Sequence, residues 1–265
     1  MITCYHSHSN LSDGDNSIDE IVSSAITAGI EEIGISDHYV FLPSGETLFW
    51  SMLLDGIADY FNLLNAAKDK YSNKISMKFG IEADYIPDTA SKVKTTLTNY
   101  PFDYIIGSVH IVDGILIDST AETWFEMSQS KVNDVIIRYW ELILELSGFG
   151  FCDFIGHIDL YKKFGFLPDI DISDKIYTTL ECIKDNNLAI ELNTSGWFKP
   201  VAEQYPSVNI LQECIKRDIP IIITSDIHEL PNLTRAFTRA KELLISLGCK
   251  NTAVFSQRIR KTIQL

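Results

Sequence analysis

The chain has 265 residues, 46% of them hydrophobic, and carries 36 acidic against 22 basic side chains, a formal charge of −14 at pH 7. That length and apolar content suit one α/β barrel with a large core, while the acidity argues against a nucleic-acid partner, which needs a basic stripe to displace counterions from phosphates. The 5 cysteines are odd in number, widely spaced and without a C-x-x-C pair, so neither a disulfide framework nor a thiolate zinc site is expected, and a reducing cytosol fits them. No apolar run approaches the ~20 residues of a membrane span and no signal peptide is visible; the expectation is a cytoplasmic protein with no membrane partner.

Short β-rich runs alternate with longer helical patterns. Ile2–Tyr5 is a first strand, and Ser17-x-x-Glu20 is a capping-box signature opening a helix to about Ala28, with Gly29 as its stop. Glu32–Ile35 is the second strand, followed by a loop around Pro43–Gly45 and a helix over Met52–Lys70. Ser76–Ile81 is the third, with a helix over Ala90–Leu97. Asp103–Ile106 is the fourth, and Glu122–Leu146 contains a long helix. Cys152–Ile155, Leu188–Leu192 and Ile219–Ile223 are strands five to seven, separated by helices over Ser173–Asp185 and Val208–Arg217. A helix over Leu233–Leu247 precedes a weak final strand, Ala253–Phe255. Such βα alternation predicts a parallel sheet. Closure into a barrel follows, because an open sheet would hold the residues after its first and last strands too far apart to form one site.

All 6 histidines sit beside acidic, glycine or serine residues at the ends of strand-like runs. They are His6 and His8 in Cys4-Tyr5-His6-Ser7-His8, His38 after Asp37, His110 after Gly107-Ser108-Val109, His157 after Gly156, and His228 in Asp226-Ile227-His228. Histidine is both a neutral ligand and a proton carrier near neutral pH, and the C-terminal ends of parallel strands meet on one face. The pattern therefore points to a multinuclear metal site. His6 and His8, two apart on one strand, project to the same side. Glu82 ends the third strand with a carboxylate suited to bridging two cations, the alternative being a solvated strand end. Asp226 ends the seventh strand, with His228 two positions on. Asp13 is either a ligand or an Asx turn feeding the helix cap, and Asp15 and Asp37 suit turn or supporting roles. Lys162 and Lys163, just after His157, and Lys199, after Asn193-Thr194-Ser195-Gly196, are either anion contacts or solvated surface lysines. Trp197 and the Tyr39–Trp50 segment either wall a pocket or pack.

Motif by motif from His6 to His228, the chain resembles the polymerase and histidinol phosphatase (PHP) superfamily of metal-dependent phosphoesterases. Phe102–His110, Gly156–Leu160, Glu191–Gly196, Lys199–Val201 and Gln204–Ser207 resemble its histidinol-phosphate phosphatase branch in particular. The resemblance implies a TIM-like, distorted (β/α)7 barrel, here a single domain over residues 1–265, with two to three divalent ions (zinc, manganese or iron) at the C-terminal ends of the strands. Carried over by position, His6, His8, Glu82 and Asp226 would hold one ion. Glu82 would bridge to a second, held also by His110 and His157, and Asp13, His38 and His228 would hold a third. Glu82, Asp226 and His110 would carry catalysis around a hydroxide bridging two cations. Lys162, Lys163, Asn193, Ser195 and Lys199 would bind the substrate. The implied reaction is hydrolysis of a small phosphate monoester, L-histidinol phosphate first among them, in histidine biosynthesis. With every histidine a ligand, the departing alkoxide would take its proton from water or a carboxylic acid, for which Asp84 and Asp15 are the candidates. An amidohydrolase also opens on a His-x-His strand but usually bridges its metals with a modified lysine, and Glu82 argues against it. A non-catalytic metal-binding module would be favoured by missing ligands, which are not seen.

Overall fold

The computed structural model describes residues 1–265. Its barrel strands are short and almost wholly buried, as expected where one face looks into a barrel and the other is covered by helices. β1 (Thr3–Cys4), β2 (Glu32–Ile35) and, after a break at Ser36-Asp37, β3 (His38–Tyr39) are followed by β4 (Ser76–Phe79), a break at Gly80-Ile81, and β5 (Glu82–Asp84). β2 runs parallel between β1 and β4, with Ile35 opposite Phe79, and beyond the breaks β3 runs parallel to β5, with His38 opposite Glu82. These two staves are interrupted at the same level, where the Tyr60 hydroxyl lies 2.9 Å from the carbonyl oxygens of both Ile35 and Gly80. β6 (Ile106–Ser108) lies beside β5. β7 (Ile111–Val112) and β8 (Ile115–Leu116) form a small antiparallel hairpin outside the barrel, and β9 (Phe154–Ile155), β10 (Ala189–Asn193) and β11 (Ile221–Thr224) complete the run. A parallel bridge between Ser7 and Ile227, with His8 N–H donating to the Ile227 carbonyl at 2.9 Å, closes the last stave on the first. The fold is the distorted seven-stave barrel that the sequence predicts.

The helices follow α/β order: α1 (Ile18–Thr27), α2 (Ile57–Tyr71), α3 (Ala90–Thr98), α4 (Glu122–Phe125), α5 (Gln129–Phe149), α6 (Ser173–Asp185), α7 (Val208–Lys216) and α8 (Phe237–Ser246). The predicted capping box at α1 is present, Glu20 N–H donating to Ser17 Oγ at 3.3 Å and Ser17 N–H to Glu20 Oε2 at 2.9 Å. The long helix expected within Glu122–Leu146 is α5, which runs on to Phe149; the short α4 is separate from it because Ser128 caps a new start by accepting from Lys131 N–H. α2 starts at Ile57 rather than Met52, and α8 at Phe237 rather than Leu233. Ala236, left-handed at φ 61°, separates α8 from the preceding 3-10 turn. No helix is long and apolar enough to cross a membrane.

The expected final strand, Ala253–Phe255, is not a barrel stave. It belongs to an antiparallel hairpin of β12 (Asn251–Ser256) and β13 (Ile259–Gln264). Phe255 N–H donates to Tyr5 Oη, Thr252 Oγ1 to the Ile221 carbonyl, and Arg258 N–H to the Asp103 carbonyl, so the hairpin stops the N-terminal end of the barrel. Inside that end Tyr5, Tyr104, Ile106, Phe154, Ala189 and Ile222 form one buried cluster with Phe255. A Cβ on Gly34 or Gly80 would fall 2.1 Å from Tyr104 atoms; glycine at these two positions is what admits the tyrosine between staves.

Candidate metal centre

Side chains two apart on a strand share a face, so the inward alternation that buries Ile222 also points Thr224 inward, and that of Ala189 points Glu191 and Asn193 inward. Above the aromatic plug the barrel interior turns polar. Glu82, the first residue of β5, has no solvent contact and stands at the centre. Its Oε2 lies 2.8 Å from His38 Nδ1, 3.2 Å from His6 Nε2 and 3.5 Å from His8 Nε2. Its Oε1 lies 2.9 Å from His157 Nε2 and 3.8 Å from His110 Nε2, and accepts from Ser108 Oγ. Asp226 Oδ1 is 3.2 Å from His8 Nε2 and 3.5 Å from His6 Nε2. Further out, Asp13 Oδ1 is 3.3 Å from His228 Nε2 and 3.7 Å from His38 Nε2. All nine residues that the sequence analysis names as ligands converge, in the overlapping groups His6–His8–Asp226, His6–Glu82–His157, His38–Glu82–His110 and His8–Asp13–His38–His228.

The donor set fits divalent ions. His6 Nε2, both ring nitrogens of His8, His38 Nδ1, His157 Nδ1 and Glu82 Oε2 are buried, and none is aligned for a hydrogen bond even where an oxygen or nitrogen stands 2.8 to 3.5 Å away. Buried polar atoms normally have one, and mixed imidazole and carboxylate donors suit zinc, manganese or iron. Burial opposes a charge on His6, but Glu191, Glu82 and Asp226 outweigh it and hold its pKa well above the ordinary value. His110 is likewise raised to about 10, Asp84 and Glu82 overcoming burial. His8, by contrast, is pushed down to about 3 by burial and by the neighbouring His38 and His228. Two members of the cluster hold left-handed backbone without being glycine, His157 at φ 23° and Asp226 at φ 52°, a strain typical of functional positions.

Around this cluster stand carboxylates: Asp37 in the turn or supporting role expected of it, and Glu191 and Asp84 in roles the sequence reading did not give them. Glu191 lies 2.6 Å from His6 Nδ1, and Asp84 accepts from His110 at both the ring Nδ1 (2.6 Å) and the backbone N–H. Asp37 takes Ser9 N–H, Ser9 Oγ and Ser12 Oγ, pinning the loop that carries Asp13. A charged residue in the middle of the apolar run Leu188–Leu192 was the available signal for Glu191.

A cavity of about 460 Å³ opens over the cluster, lined by Asp13, His38, His110, His157, Asp226 and His228 below and by Phe49, Trp50, Asp118, Lys163, Ser195, Lys199 and Tyr205 around them. Trp50 packs edge-on to His38 and His110; Trp197 lies outside the lining, beneath Arg239. The expected substrate contacts divide. Lys163, Ser195 and Lys199 line the cavity, Lys163 reaching Asp118 at 3.2 Å. Lys162 does not: its ammonium is buried against Asp159 (2.8 Å), Glu203 (2.6 Å) and the Gln204 carbonyl. Asn193 also lies behind the wall, its amide donating to Glu191 and Asp226. Neither Asp84 nor Asp15 lines the cavity, so neither is placed to protonate a leaving group there.

A closed parallel barrel with this cluster at the C-terminal mouth of its strands defines a metal-dependent barrel hydrolase. The family profile of the PHP domain matches residues 5–195, and the chain belongs to the PHP family. It is 30% identical over 241 residues to a protein of Deinococcus radiodurans named a probable histidinol-phosphatase, covering 90% of each chain. It is 24% identical over 244 residues to the histidinol-phosphatase of Bacillus subtilis, covering 84% of this chain and 91% of the relative. In fold it matches the histidinol phosphate phosphatase of Lactococcus lactis, solved with zinc, L-histidinol and phosphate, at a TM-score of 0.83 and 23% identity over 98% of both chains.

Proposed function

We propose that this chain hydrolyses L-histidinol phosphate to L-histidinol and inorganic phosphate, in histidine biosynthesis. The observation that carries the reading is the polarity of the cavity. Lys163 and Lys199 stand with the histidine cluster, while Asp118 is the single lining carboxylate outside it. Burial pushes the Asp118 carboxyl up, but His110 and Lys163 hold it below the usual range, which makes it an acceptor for a cationic group rather than a proton donor. A substrate with a phosphate at one end and ammonium and imidazole at the other fits both. The relatives of that name, aligned over most of the chain, support the same substrate.

In this reading His6, His8, Glu82 and Asp226 hold one ion, Glu82 with His110 and His157 a second, and Asp13, His38 and His228 a third. Divalent cations there supply Lewis acidity toward phosphoryl oxygens and lower the pKa of water. Glu82 and Asp226, both held ionised well below the usual carboxylate range by the surrounding histidines despite burial, fix the charge of the cluster; with His110 they are the residues on which turnover depends. Lys163, Ser195 and Lys199 orient the phosphoryl group, and Trp50 walls it from solvent. The departing alkoxide takes its proton from water. One contiguous core of 62 buried residues supports treating 1–265 as one domain, and five free cysteines fit the cytoplasm.

The test is phosphate release from a panel of monoesters after reconstitution with zinc, manganese or iron. L-Histidinol phosphate is expected to exceed p-nitrophenyl phosphate in kcat/KM by about 10-fold or more, although the aryl ester has the better leaving group; that reversal needs transition-state binding energy that offsets the leaving-group advantage and exceeds it by about 1.4 kcal/mol. Equal or inverted preference ends the histidinol assignment and leaves the phosphoesterase one standing.

A further inference from the structure

Glu191 lies in the middle of β10, fully buried. Four donors converge on its two oxygens. His6 Nδ1 donates to Oε1 at 2.6 Å, and the Thr224 hydroxyl donates to the same oxygen. His157 N–H donates to Oε2 at 2.7 Å, and Asn193 Nδ2 at 3.0 Å. An ionised carboxylate accepts at both oxygens, whereas an amide accepts at one only. With Nδ1 committed as a donor, the His6 ring presents Nε2 to Glu82 Oε2 (3.2 Å) and Asp226 Oδ1 (3.5 Å). The bond to His157 holds the backbone N–H of a residue at φ 23°, whose Nε2 then lies 2.9 Å from Glu82 Oε1. Asp84 performs a related task for His110 alone; Glu191 governs two histidines from opposite sides of Glu82.

We propose that Glu191 is a positioning residue of the metal centre: it holds the His6 ring at Nδ1 and the strained backbone of His157 at its N–H, so that both Nε2 atoms face Glu82. The proposal rests on reading the cluster as a metal centre.

The experiment uses the full chain labelled with ¹⁵N-histidine. In the zinc-loaded wild type, long-range ¹H–¹⁵N correlation is expected to show the His6 Nδ1 proton in a strong hydrogen bond, and in Glu191→Gln that resonance shifts or broadens. Zinc alone, titrated against a chromophoric chelator, is expected to bind the variant about 10- to 100-fold more weakly at the sites served by His6 and His157, and the metal-depleted variant, with buried donors left unpaired, is expected to melt somewhat earlier. A bare Nδ1 on wild-type His6 overturns the proposal, and does so even where the variant does not fold. A variant that melts earlier but keeps the His6 resonance and wild-type zinc affinity assigns Glu191 a purely structural part and overturns it equally. Wild-type protein that takes up no zinc removes the metal reading itself, and the proposal with it.

Discussion

At the C-terminal mouth of the barrel the inward side chains are Glu82, Glu191, Thr224 and the histidines; at the other end they are Tyr5, Tyr104, Phe154 and Ile222, capped by Phe255. Successive inward positions on β10 and β11 pass from one chemistry to the other in two residues, Ala189 to Glu191 and Ile222 to Thr224. The aromatic end is packed with rings 5.1 to 6.4 Å apart and leaves only the Tyr and backbone polar groups to pair. The mouth leaves several buried donor atoms without partners. Burying polar groups in this way costs stability unless a cation satisfies them. The contrast teaches that in this chain stability and chemistry occupy different levels of the same staves.

Three substitutions test that separation. The largest expected effect is at the mouth: Glu82→Gln should lower kcat by on the order of 10³-fold and reduce bound metal in elemental analysis, without lowering the stability of the metal-depleted protein. Near-normal turnover with normal metal content would remove Glu82 from the bridging position. At the opposite end, Phe255→Ala should cost about 3 kcal/mol in denaturant unfolding, because it empties a stack on Phe154, while kcat of the folded fraction stays within about twofold. A large loss of kcat there would show that the two levels are coupled. The smallest effect concerns the cavity wall. Asp118→Asn should raise KM for L-histidinol phosphate by about 10-fold, one charge-assisted hydrogen bond, and change that for p-nitrophenyl phosphate, which would feel Asp118 only through Lys163, by less; equal effects on both would place Asp118 on the phosphate side.

How much of this was legible depended on whether a residue's partners lie near it in sequence or chemistry. The staves were legible because short apolar runs alternate with helical patterns, and the cluster because each histidine follows such a run. Glu191 and Asp118 were missed because each acts through a partner distant in sequence. Lys162 and Lys163 were indistinguishable by chain position. The segment Leu160–Phe164 is a 3-10 helix, in which neighbouring side chains point about 120° apart, so Lys163 faces the cavity and Lys162 is driven onto Asp159 and Glu203. Asp113-Gly114, both at positive φ, is the sequence signal of the two-residue turn that joins β7 and β8. The terminal hairpin had no such signal, since its left-handed turn residues are Gln257 and Arg258 rather than asparagine and glycine.

The seam between the first and last staves has a consequence for how the molecule matures. Cys4 and Ser225, in contact across it, are 221 residues apart in sequence, and contacts of such separation form late in folding. His6 and His8 stand on one side of the seam, Asp226 and His228 on the other. Of the ligand groups, His6–His8–Asp226 and His8–Asp13–His38–His228 are therefore assembled only when the last stave docks on the first. Closure of the barrel and assembly of these ligand groups are one event.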